Sequence, residues 1–217
     1  MSNKESDLPV RARTGALLVI TMVLAMWLGP WTYGAFLFLI WAMGAREAAQ
    51  LLRGGFASRS LGLAALGAAV WAVSTAGLAG IAWGRGEYEF WMPLGWFILI
   101  WLNDTGAYFA GRAFGRNKLA PSISPGKTWE GWAGGMVASL AVAQVLQALV
   151  PVSAPWFVLA LVVSIFGPVG DLTESALKRR AGVKDSGQLL PGHGGILDRF
   201  DSHIFAAPLA AILFRLI

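Results

Sequence analysis

The sequence predicts an all-α membrane protein: a polytopic transmembrane bundle of about seven helices with a polar site facing the cytoplasm. Three observations carry this expectation. Of 217 residues, 56% are hydrophobic and 13% charged, whereas a soluble domain carries roughly 25% charged residues. The apolar residues fall in blocks without strand-like alternation, and lipid admits only helices or closed barrels. Lys and Arg, finally, cluster in alternate connections between the blocks.

The blocks lie at about 14–28, 31–43, 61–83, 90–109, 132–150, 156–169 and 203–217. The first two are short and meet at Gly29-Pro30, which reads as a helical hairpin. The second can lengthen to Leu52 through Arg46 and Glu47. No cleavable signal peptide is expected, because the first apolar stretch runs on without an A-x-A site. Residues 54–86 are Gly/Ala-rich and nearly free of charge. Gly80 and Gly84, like Gly131 and Gly135, have the small-xxx-small spacing that lets helices approach closely. The fourth block holds Asn103 and Asp104, and such residues inside a span are costly unless paired or functional. No internal repeat and no long linker divides the chain. Residues 1–100 therefore read as N-terminal spans and 101–217 as the region that carries the polar, candidate catalytic clusters, within one integrated domain.

Orientation follows from the 17 Lys and Arg residues. With a cytoplasmic N-terminus and alternating spans, all but Arg85 and Arg215 fall on the cytoplasmic side, Arg59 included. This bias accounts for the net charge of +5 without nucleic acid as a partner. It predicts a multi-pass protein of the inner (cytoplasmic) membrane. The absence of cysteine excludes disulfides and thiolate metal sites.

Three polar clusters sit on the predicted cytoplasmic side. The first runs from Trp101 to Gly131 and contains Arg112, Arg116, Lys118, Ser122, Ser124, Lys127, Thr128 and Glu130. Its "GKT" at 126–128 is not a P-loop, because the required earlier glycine is Pro121 and no strand is expected before it. A basic, hydroxyl-rich loop still suits phosphates, and equally suits ordinary positive-inside charge. The second, "GPVGDLTESALKRR", places Asp171, Glu174 and Lys178 on one helix face, as it does Asp171 and Ser175. A Glu174–Lys178 pair could serve there as a simple anchor. The third, "LLPGHGGILDRFDS", packs His193, Asp198, Arg199 and Asp201 around glycines at the edge of the last block. A helix starting near Leu197 would turn Asp198 and Asp201 the same way. His203 lacks a partner at metal-ligand spacing and reads as structural. Carboxylates with few other ligands suit Mg²⁺, which takes phosphate oxygens for the rest of its shell. Metal-assisted phosphoryl or nucleotidyl transfer is a reaction these parts support.

Residues 175–201, "SALKRRAGVKDSGQLLPGHGGILDRFD", resemble the signature of the phosphatidate cytidylyltransferase (CDP-diacylglycerol synthase) family, in which S-x-hydrophobic-K-R and K-D precede H-G-G-x-x-D-R-x-D. "NDTGAYFAGR", "SPGKTWEG" and "GDLTES" upstream are similar to further family features. Members are mostly longer, with additional N-terminal spans. The resemblance implies CTP and phosphatidic acid as substrates, CDP-diacylglycerol and pyrophosphate as products, Mg²⁺ as cofactor, and a homodimer in the lipid bilayer. It implies Asp171 and Asp198 as leading metal ligands, with Glu174 and Asp201 nearby. Lys178, Arg179, Lys184 and Arg199 would hold phosphates, and Ser124, Lys127, Thr128 and Glu130 would form the opposite wall. Asn103 and Asp104 would support the site from within the membrane. Ser175 and Asp185 belong to the matched signature, and His193, Gly194 and Gly195 would shape the nucleotide loop.

Two alternatives stay open. One is a related CTP-dependent enzyme, or a kinase, acting on another lipid phosphate or a prenyl alcohol. The other is an ion-coupled transporter, which the crowding of polar residues into the C-terminal half disfavours. The D-G-x-x-A-R motif of CDP-alcohol phosphotransferases is absent.

Overall fold

The computed structural model describes residues 4–55, 61–84 and 86–216; Arg59 and Arg85, two of the orienting charges, lie outside them. Each predicted apolar block is a helix. α1 (Lys4–Trp27) and α2 (Pro30–Gly55) form the expected hairpin. Gly29 supplies the turn with φ +115°, and Pro30 opens α2 where no backbone donor is needed. α2 runs past Arg46 and Glu47, as its predicted extension requires.

α3 (Leu61–Ala82) packs on α2 and on the last helix. Trp71 of α3 fills the space beside Gly44 and donates to the Ile40 and Trp41 carbonyls at 3.3 and 3.1 Å. Gly80 and Gly84 of α3 meet Ala211 and Phe214, so the small-residue spacing marks a helix contact. α4 (Trp91–Phe114) and α5 (Trp129–Leu149) approach through Gly106 against Ala138 and Gly134 against Ala110. α6 (Trp156–Arg180) continues eleven residues beyond the predicted block, from 169 to 180, carrying the second polar cluster in helical form.

Two features depart from expectation. Residues 118–128 hold a small antiparallel hairpin, β1 (Lys118–Ala120) and β2 (Ser124–Thr128), with Lys118 opposite Thr128 and Ala120 opposite Ser124. Thr128 then caps α5 by accepting from the Gly131 N–H at 3.1 Å. The last helix does not run continuously from Leu197. A single turn, α7 (Leu197–Phe200), is followed by a break and then α8 (His203–Leu216). The Asp201 carboxylate accepts from the Ser202 N–H at 2.6 Å within that break.

Five helices (α1, α2, α3, α5 and α6) are long and apolar enough to cross a bilayer. α4 matches them in length but carries Asn103, Asp104 and Arg112. α8, with 14 residues, is shorter than the roughly 20 a full span needs. The core joins Trp71, Trp96, Phe97, Trp156 and Phe200. His203 is buried among them and accepts from Trp96 Nε1 at 3.0 Å, a structural role. The polar ends of α1, α2, α4, α5 and α6 gather with the hairpin and α7 at one end of the bundle.

Candidate functional site

The site starts from the C-terminal half of α6. Helical spacing stacks Asp171 with Ser175, whose hydroxyl donates to Asp171 Oδ1 at 3.1 Å, and Glu174 with Lys178 at 3.0 Å. Lys178 is buried and also donates to Asp198 Oδ1 at 2.6 Å. Lys127, from β2, pairs with Asp171 Oδ2. The ion pairs thus join hairpin, α6 and α7 around one space.

Asp198 is fully engaged. Besides Lys178, its Oδ2 accepts from the Ser186 N–H and hydroxyl, both at 2.9 Å, and from the Gly195 N–H at 2.7 Å. Burial raises its pKa, but the donors from Lys178, Gly195 and Ser186 outweigh that and hold it below the usual 3.8. Asp201 is the opposite case. Burial, then the neighbouring charges of Asp171 and Glu174, push its pKa well above 3.8. Glu174 Oε1 is buried without a hydrogen-bond partner among the described residues, and the Glu174 charge bears on the Asp201 carboxyl. Buried carboxyls that repel one another in this way are relieved by a proton or a cation. Asp171, Glu174 and Asp201 supply the oxygen donors a divalent cation takes, but among the described residues no three His, Cys, Asp or Glu side chains lie close enough together to hold one.

A cavity of about 720 Å³ opens here. Ser124, Lys127 and Thr128 line one wall, and Arg179, Lys184, Asp185 and Arg199 line another. Asp171, Ser175, Lys178, Asp198 and Asp201 form its floor. Asn103 and Asp104 of α4 also reach it; Asn103 is buried and accepts from Ser164 Oγ at 3.0 Å.

Five predicted residues do not line the cavity. Glu130 is half-buried and turned away from the cavity, with its carboxylate accepting from the Arg116 and Asn117 backbone and from Asn117 Nδ2 at 2.7 Å. It fastens the entry to β1. Glu174 lies beneath the floor, 2% exposed. His193 rests against Gly15 of α1, and burial, then the charges of Arg199 and Arg11, lower its pKa below 6.5. Gly194, with φ +84°, and Gly195 let the loop close over Asp198 from behind. Asp198 and Asp201 both face the cavity, yet the helix break gives them different partners.

Arg112, counted in the first polar cluster, lines the mouth. Sequence reasoning passed over Tyr108 beside it, whose hydroxyl accepts from the Arg112 guanidinium at 3.4 Å. It also passed over Glu47, which enters the loop behind Asp198 from α2. An acid inside an apolar block was the available signal in both Asp104 and Glu47.

A helical membrane bundle whose one polar end surrounds a cavity with lysines, arginines and carboxylates is a protein equipped to receive phosphate-bearing ligands at the bilayer surface. The chain belongs to the cytidylyltransferase family, whose family model matches residues 83–217. It is 52% identical over 122 residues to the phosphatidate cytidylyltransferase of Bacillus subtilis (strain 168), covering 55% of this chain and 45% of that protein. It is 54% identical over 120 residues to the enzyme of that name from Staphylococcus saprophyticus, covering 54% and 46%. The protein of the same name from Staphylococcus aureus (strain COL) is 52% identical over a stretch of equal extent. The chain thus aligns with about half the length of these relatives.

Proposed function

We propose that the protein transfers the cytidylyl group of CTP to phosphatidic acid, giving CDP-diacylglycerol and pyrophosphate. The observation that carries this reading is the cavity that brings Lys127, Lys178, Arg179, Lys184 and Arg199 together around Asp171 and Asp201. The likeness to proteins named phosphatidate cytidylyltransferase supports it. A lipid phosphate oxygen attacks the α-phosphorus of CTP. A new P–O bond forms, the bond to the bridging oxygen breaks, and pyrophosphate leaves with that electron pair. A phosphate monoester is already anionic at neutral pH, so positioning and charge neutralisation supply the catalysis.

In this reading Lys127, Arg179, Lys184 and Arg199 bind phosphate oxygens, and the Ser124 and Thr128 hydroxyls donate from the hairpin. Asp104 and Asp185 accept from hydroxyl or amino groups of the nucleotide. Asp171, Glu174 and Asp201 would hold Mg²⁺, and Asp198 would join them only by releasing Lys178. Bound Mg²⁺ would neutralise charge developing on the phosphates. The positive-inside pattern supports a cytoplasm-facing cavity in the cell membrane, and the family resemblance supports a homodimer.

The test is CDP-diacylglycerol formation from labelled CTP and phosphatidic acid by purified protein, with and without Mg²⁺. Asp171→Asn should lower turnover by roughly 10²-fold or more. Product formed equally without Mg²⁺, or none from folded wild type, would overturn the assignment.

A further inference from the structure

We infer that Glu47, on α2 and outside the segment matched by the family, is a positioning residue that sets the shape of the loop 186–197 beneath the cavity. This rests on the reading above for its kinetic consequence, and on geometry alone for its structural one.

Glu47 is 5% exposed near the C-terminal end of α2. Its Oε1 accepts from the Ile196 N–H at 3.1 Å, and its Oε2 accepts from the Leu197 N–H at 3.0 Å. The Ser186 hydroxyl approaches the same Oε2 at 3.1 Å and Asp198 Oδ2 at 2.9 Å. One hydroxyl carries one proton, so Ser186 couples the two carboxylates by donating to either. A continuous polar chain thereby runs from Glu47 through Ser186 and Asp198 to Lys178 on the cavity floor. No Lys or Arg forms an ion pair with Glu47 among the described residues. Each of these hydrogen bonds comes from the loop or the start of α7, and a buried acid held this way fixes its donors in return.

Two glycines register the same approach. A Cβ on Gly187 would lie 2.5 Å from Glu47 Oε1, and one on Gly195 would collide with Glu47 Oε2 and Ser186 Oγ. Both positions are small because an α2 side chain occupies the space. Removing that side chain's charge frees the Ile196 and Leu197 amides and loosens Ser186 against Asp198. Asp198 then no longer holds Lys178 at a fixed point. Substrate capture by the exposed cations is left intact while the reacting geometry degrades, so turnover falls more than binding.

Glu47→Gln keeps the side chain's size but turns an amide NH₂ toward N–H donors. In the purified full chain, hydrogen exchange at the Ile196 and Leu197 amides should rise about tenfold or more, with α3 and α8 unchanged. kcat for CDP-diacylglycerol formation should fall about tenfold, with KM for phosphatidic acid within about threefold. Glu47→Asp, which keeps the charge at shorter reach, should recover part of both losses. Should Glu47→Gln fail to fold, Ser186→Ala gives the same signature in weaker form. Unchanged exchange at these two amides, exchange that rises uniformly over the bundle, or a loss confined to KM would each overturn the assignment. Wild type that forms no CDP-diacylglycerol would sink the proposed reaction while leaving the exchange result to decide Glu47.

Discussion

His193 illustrates how far a residue's environment can differ from its motif. It stands in the Gly-rich signature, yet it rests on Gly15 of α1, and its ring lies near Arg11 and Arg199. Burial and these two cations favour the neutral imidazole, so the folded pKa lies below the unfolded value near 6.5. The sign of the linkage follows: the unfolded chain takes up the proton first as pH falls. His193 therefore contributes stability that is fully present above about pH 6.5 and is lost as pH drops from there toward its lowered folded pKa. Thermal unfolding scanned from about pH 7.5 to 5 should show a steeper decline for wild type than for His193→Gln. Parallel slopes would mean the ring is not held neutral. The same scale explains what was legible. Asp171, Glu174, Ser175 and Lys178 interact at three- and four-residue spacing, which a reader of sequence can count. Glu47 meets Ile196 and Leu197 across 149 and 150 positions, and no local pattern encodes that contact.

At the level of elements, the α4–α5 pair decides where the hairpin wall stands. Gly134 faces Ala110 and Gly106 faces Ala138, so the two helix backbones lie close over two turns. β2 leads directly into α5, and its Lys127 pairs with Asp171 on α6. Widening the α4–α5 gap moves that lysine relative to its partner. Gly134→Val should cost about 1–3 kcal/mol, as overpacking does. That corresponds to a fall in Tm of roughly 2–12 °C for a chain of this size. Turnover should fall with it, whereas Val137→Ala, on an exposed face of the same helix, should leave both unchanged. A stable, fully active Gly134→Val protein would show that the pair can separate freely. The spans themselves were readable because lipid enforces long apolar runs. The hairpin was not: its strands are three and five residues long and carry Pro125, without the alternation that marks a strand. The break before α8 was hidden for a related reason. Residues 197–203 satisfy helical spacing on paper, and only the Asp201 contacts with Ser202 and Gly170 show the interruption.

For the whole molecule, the question is whether the C-terminal region stands alone. The family match covers residues 83–217, and residues 101–217 read from sequence as the catalytic region. The packing crosses that line. α8 lies chiefly against α3, with Pro208, Ala211 and Phe214 seated on Gly77, Gly80 and Gly84. α2 contributes Glu47 to the loop beneath the cavity, and α1 contributes the surface under His193. Helices that are individually stable in lipid associate afterwards through such contacts, so a cut between them need not be fatal if both pieces are present. Cutting between α3 and α4 therefore gives a defined expectation. Residues 87–217 produced alone should be unstable in the membrane and inactive, because α8 loses its main partner and the signature loop loses its anchor. Produced together with residues 1–86, the two pieces should co-purify and recover CTP-dependent activity. Full activity from 87–217 alone would mean that the N-terminal helices are accessory. It would also mean that the polar chain from Glu47 to Lys178 is dispensable for the chemistry, and the cavity would then have to be held by α4, α5 and α6 alone.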